Sequence, residues 1–231
     1  MSASVADPSP RRQARLAGLL YLIVMAAGMF TEYFVLGSVV VPGNAAATAG
    51  RILASEPLYR LGFAADMVDY AVYVVVMVIL YALLKPVSRS QSLLAMVFGL
   101  LGTAIVAVVS LFYFAPLLLL QAVPEPAALV LVSLRLRSIG YDVGLVFFAL
   151  HLIVLGWLVA RARFFPRILG WLLVLAGLCY LVNSFAVFLA PAIHLPPYML
   201  APAVIGEGAM ALWLFVVGLN EAKWREQNRQ P

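Results

Sequence analysis

Five acidic residues lie inside stretches that are otherwise almost wholly apolar: Glu32, Asp66, Asp69, Asp142 and Glu207. Within a bilayer an ionised side chain costs on the order of 3 kcal/mol or more unless it is paired or wetted, so acids kept there usually bind, relay protons or hold helices together. Four arginines fall near them, Arg51, Arg60, Arg135 and Arg137, and Asn183 adds an uncharged polar group at a similar depth. At about 100° per residue, Asp66 and Asp69 share one helix face with Tyr70 and Tyr73. Gly28 lies one turn from Glu32, leaving room for a partner, and Gly206-Glu207-Gly208 sets a carboxylate between two residues without side chains.

Such residues need elements that cross a membrane, and the composition supplies them. Of the 231 residues 65% are apolar and 11% are charged, which excludes an ordinary soluble domain, a disordered chain and, with Cys179 as the single cysteine, a disulfide scaffold. A crossing helix takes about 20 apolar residues. Six segments qualify, at 17–41, 58–84, 93–121, 140–160, 168–190 and 199–219. The fold class is therefore all-α and polytopic, with tails at 1–14 and 221–231 flanking a six-helix domain at 15–220. Pro and Gly punctuate the turns, at Pro42-Gly43-Asn44, Lys85-Pro86, Pro124-Glu125-Pro126, Pro166 and 191–197. Two connections invite short helices of their own, one after a possible cap at Asn44 and one over 127–134 before Arg135. Asp66 and Asp142 are 76 residues apart, as are Lys85 and Arg161, a faint echo of a duplicated hairpin.

Basic residues set the orientation. Arg11, Arg12, Arg15, Lys85, Arg89, Arg161, Arg163, Arg167, Lys223, Arg225 and Arg229 fall on one side, against Arg51, Arg60, Arg135 and Arg137 on the other. The positive-inside rule then predicts cytoplasmic N- and C-termini and puts all five acids in the extracytoplasmic half. The net charge of +5 fits contact with anionic membrane lipids better than nucleic-acid binding, for which no motif is present.

The expected ligand-binding set is Glu32, Arg60, Asp66, Asp69, Arg137, Asp142, Asn183 and Glu207, around a small polar or lipid-like ligand. The competing reading makes them structural ion pairs, with Asp142 drawn to the N-terminal end of its helix by the dipole. No cofactor and no metal are called for: His151 and His194 are the only histidines, and His151 lies half a turn from the Asp142 face. Hard oxygen ligands for Ca²⁺ or Mg²⁺ are present without a motif that specifies them. Nucleophile elbows and phosphate-binding glycine loops are also missing. Three functional readings stay open: binding or transport of a small ligand, a membrane-embedded enzyme acting on a lipid or lipid-linked substrate, and an accessory subunit.

The strings RLAGLLYL at 15–22, LYRLGFAAD at 58–66, GLVFF at 144–148, FPRILG at 165–170 and AGLCYL at 176–181 resemble the bacterial membrane family known as domain of unknown function 4386. Gly206-Glu207 followed by Leu212-Trp213-Leu214 is similar to that family's last helix. The resemblance covers about 15–220 and implies the fold and a bacterial inner membrane. It brings no catalytic residues, although Arg60, Asp66, Pro166-Arg167 and Glu207 look like part of the family's pattern.

Overall fold

In the computed structural model, which describes residues 9–190 and 197–229, every regular element among the described residues is helical. Helix α1 runs Pro10–Val39, α2 Ala45–Ala54, α3 Glu56–Leu84, α4 Arg89–Ala122, α5 Ala127–Arg161, α6 Arg167–Leu189, α7 Ala201–Val216 and α8 Glu221–Asn228. Five are long and apolar enough to cross a membrane alone, and six if α7 with the sharply bent α8 counts as one span. His194 and most of the predicted turn at 191–197 lie outside the described residues.

Local chemistry sets several of the ends. Ser9 accepts from the Arg12 N–H at the start of α1, and Ser88 does the same for Gln91 at the start of α4. Asn44 caps α2 through the Ala47 N–H at 2.9 Å, as its position suggested, and the Thr48 hydroxyl pins the preceding turn by accepting from Val41 N at 3.0 Å. Gly43 and Gly218 adopt φ of +73° and +75°, a conformation L side chains resist, and so turn the chain after α1 and after α7. At that second turn Arg15 donates to Val216 O at 2.8 Å, covering a carbonyl left over at the end of α7. Trp224 of α8 donates its indole N–H to Leu83 O at 2.8 Å, tying the last helix across the base of the bundle.

The long helices form a closed ring. Each packs on its neighbour in sequence, α1 on α3, then α4, α5, α6 and α7, and α7 returns to α1. Lipid tails are as apolar as leucine, so close van der Waals fit rather than water exclusion must hold such helices together. Glycines supply that fit: a Cβ at Gly156 would stand 2.5 Å from Gly170 O, one at Gly177 2.6 Å from Ala149 O, and one at Gly206 2.7 Å from Leu172 O. Leu80, Leu83, Leu84, Leu152, Leu155, Leu158, Leu173 and Leu214 plug one end of the ring. Ile52 of α2 joins Val35, Val39, Tyr59, Tyr113 and Leu117 in a second cluster near the other end.

Three details depart from the sequence reading. Residues 127–134 are not a separate short helix but the first turns of α5, a continuous helix over Ala127–Arg161. Asp142 therefore lies well inside its helix, out of reach of the dipole field that fades within the first turn. The last span is shorter than expected: α7 has 16 residues, a rise of about 24 Å, and a 3-10 turn at Pro197–Leu200 extends it.

Candidate functional site

Near the end of α1 the helix widens into a π segment, Phe30–Leu36, in which the Gly37 N–H reaches back five residues to Glu32 O. Such widened turns frequently mark functional positions. Here it carries Glu32, whose carboxylate is gripped by both terminal nitrogens of Arg137 from α5, on the far side of the ring. Arg137 also stands 3.8 Å from Asp66 Oδ2 of α3. Its guanidinium is sandwiched between the Tyr113 and Tyr141 rings, 5.5 Å from each centroid. Three of the predicted residues thus form one largely buried ion cluster that staples α1, α3 and α5 together.

Beside this cluster lies a chamber of about 450 Å³, lined by residues of all six long helices. Its acids are Glu32, Asp69 and Glu207, and the described lining holds no Lys, Arg or His. Glu207 is fully engaged: Tyr21 donates to Oε2 at 2.7 Å and Tyr180 to Oε1 at 2.8 Å. Between those tyrosines runs a chain of aromatic contacts, Tyr21 to Tyr73 at 5.6 Å, Tyr73 to Phe148 at 5.5 Å and Phe148 to Tyr180 at 5.9 Å. With Glu207 the four rings close a cup at the floor of the chamber. Tyr73 is fixed in turn by His151, whose Nδ1 lies 2.7 Å from Ala95 O and whose Nε2 lies 3.1 Å from the Tyr73 hydroxyl. A carbonyl only accepts, so Nδ1 donates and Nε2 accepts a hydrogen bond from the Tyr73 hydroxyl, which makes His151 a packing and positioning residue.

Asp69 differs from the other two acids. It faces the chamber half-buried and makes no hydrogen bond or ion pair among the described residues. Gly28 of α1 lies directly against it, so that an added Cβ would stand 3.6 Å from Asp69 Oδ2. The chamber's mouth falls between α1 and α7, lined by Met29, Tyr33 and Val204, all exposed on the outer surface of the ring.

The remaining predicted residues lie elsewhere. Arg60 pairs with Glu56 at 2.7 Å, one turn away on α3, over the Phe114 ring at the exposed surface. Asp142 is buried and accepts from Asn183 Nδ2 at 3.3 Å, a bridge between α5 and α6 outside the chamber lining. No group of three or more His, Cys, Asp or Glu is placed to hold a metal ion among the described residues. Sequence reasoning missed Tyr21, Tyr141, Gly144, Phe148 and Tyr180. The signal is present in the sequence: Arg137, Tyr141, Gly144 and Phe148 follow the i, i+4, i+7, i+11 spacing of one helix face, which lies apart from the Asp142 face.

A closed ring of apolar helices around an acid- and tyrosine-lined chamber defines a multi-pass helical membrane protein. The chain belongs to the family described as a domain of unknown function (DUF4386), whose model matches residues 16–218. An uncharacterised protein of Archaeoglobus fulgidus is 29% identical over 145 residues, covering 63% of this chain and 76% of its own. No solved structure matches.

Proposed function

We propose that this protein binds a small polar or lipid-like ligand in the chamber and carries or senses it at the membrane. The observation that supports this reading is the chamber itself: about 450 Å³, within the usual range for small-molecule sites, walled by six helices and furnished with a carboxylate that has no partner among the described residues. Structural pairing accounts for Arg60 with Glu56 and for Asp142 with Asn183, and it leaves Asp69 without a role.

The test fills the lumen. Gly28→Leu adds a side chain whose Cβ meets only the Asp69 carboxylate, at an ordinary van der Waals distance of 3.6 Å, so the variant should still fold while its branch occupies the lumen. In a thermal-shift screen of lipids, amines, acids and sugars against the purified protein, a ligand at about 100 times its Kd stabilises by about 2.7 kcal/mol. Such compounds should shift wild type and leave Gly28→Leu unmoved. If the two respond alike to every compound, the chamber is not the site.

The protein is further proposed to sit in a bacterial inner membrane, among anionic lipids, with both termini cytoplasmic. A green fluorescent reporter fused after α8 should then fluoresce, and a phosphatase inserted at Pro124-Glu125-Pro126 should be active. The reversed pattern would invert the assignment, and with it the side to which the chamber opens.

A further inference from the structure

We propose that the chamber's ligand is an organic ammonium cation, with Asp69 as its counter-ion and the cup of Tyr21, Tyr73, Phe148 and Tyr180 around its alkyl groups. This deepens the binding reading given above and rests on it.

Charge argues first. The described lining carries three carboxylates and no basic side chain, and Arg137, the cation beside it among the described residues, is already committed to Glu32 and Asp66. An anionic ligand would meet three carboxylates, with only the hydroxyls of Thr103 and the remaining lining tyrosines to receive it. A neutral polar ligand would offer the Asp69 carboxylate no counter-charge in an apolar layer.

The aromatic groups narrow the class. The hydroxyls of Tyr21 and Tyr180 are spent on Glu207 and that of Tyr73 on His151; the partly accessible rings of Phe148 and Tyr180 are left to meet a guest, backed by the buried Tyr21 and Tyr73. Aromatic faces attract cations through the ring quadrupole, and cages of this kind suit ammonium groups whose charge is spread over alkyl substituents. Size points the same way. A bare divalent ion requires six or more oxygens close together, whereas this lumen is far larger than such an ion and no three ligating groups converge among the described residues. The mouth between Met29, Tyr33 and Val204 is apolar and faces outward, so it suits a guest with a greasy substituent on its charged head.

The experiment uses three probes of one shape and three charges: choline, its neutral isostere 3,3-dimethylbutan-1-ol, and the anion 3,3-dimethylbutanoate. Each is titrated into the full chain in lipid nanodiscs and read by thermal shift and calorimetry. Choline should bind while its isosteres do not. Asp69→Asn should weaken choline at least tenfold, and Asp69→Glu, which keeps the charge, should recover much of the loss. Equal binding of the neutral or anionic isostere, or an Asp69→Asn variant that holds choline as wild type does, would overturn the assignment. The isostere comparison needs wild type alone, so it decides the matter even if Asp69→Asn folds poorly. A silent choline titration alongside a neutral or acidic hit from the wider screen, lost in Gly28→Leu, overturns the cation and spares the binding reading. Silence from every class overturns both.

Discussion

Arg137→Met is expected to leave little folded protein. The wild-type guanidinium offsets part of the charge of both Glu32 and Asp66, and the methionine would fill its volume with nothing to offset either. Asp66 is the costlier orphan, since it is 3% exposed and its Oδ2 already lacks a hydrogen-bond partner. Glu32 borders the chamber and has a side chain 37% exposed, so water softens its loss. Removing one partner of a buried pair costs about 3–5 kcal/mol, enough to consume much of a domain's net stability. Unfolding in mixed micelles with rising detergent denaturant should show it. Combining Arg137→Met with Glu32→Gln and Asp66→Asn removes the stranded charges, and stability should largely return. A single mutant as stable as wild type would mean that the cluster is not what holds α1, α3 and α5 together.

Gly156→Leu should do comparable damage by a different route. Here α5 and α6 cross so closely that a Cβ at position 156 meets the Gly170 carbonyl oxygen at 2.5 Å and Val174 N at 2.8 Å. The obstacle is backbone, which no rotamer change can move aside, so the helices must part. Overpacking typically costs about 1–3 kcal/mol, and this site belongs at the top of that range. Measured against Gly50→Leu, which adds the same side chain where nothing lies within 4 Å of an added Cβ, the same assay isolates the contribution of helix contact. Equal stabilities for the two variants would contradict the close crossing.

The placement of the spans was legible because it depends on composition over a long window. The start of α5 was not, and Arg137 shows why. Read along the chain, Arg135 and Arg137 look like residues that end an apolar segment, so the helix was begun at 140 instead of Ala127. Arg137 is tolerated inside because acids from two other helices meet it, a fact that belongs to the ring and not to the local sequence. The same applies to the set of site residues. Glu32, Asp69 and Glu207 were found by chemical type, and each lines the chamber. Tyr21 and Tyr180 were passed over because a tyrosine in an apolar helix draws no notice until its hydroxyl is seen to reach Glu207. The widening at Phe30–Leu36, which sets the rotation of Glu32 relative to the preceding turns, has no recognisable signature in FTEYFVL.

The ring closes where the first long helix meets the last, and this governs the order in which the molecule can be completed. During synthesis α1 enters the membrane without one of its two neighbours and must wait for some 160 further residues before α7 emerges to join it. Until then the wall of the chamber has a gap, Tyr21 has no carboxylate to receive its proton, and the groove beside Asp69 stands open to the bilayer. The mouth between α1 and α7 is thus a remnant of the final seam, drawn tight at the Gly18 end, where Leu214 and Phe215 press against it, and left parted around Met29 and Val204. The chamber is a product of completion: a nascent chain halted before Ala201 keeps four of the six helix contacts of the ring and contains no enclosed site at all.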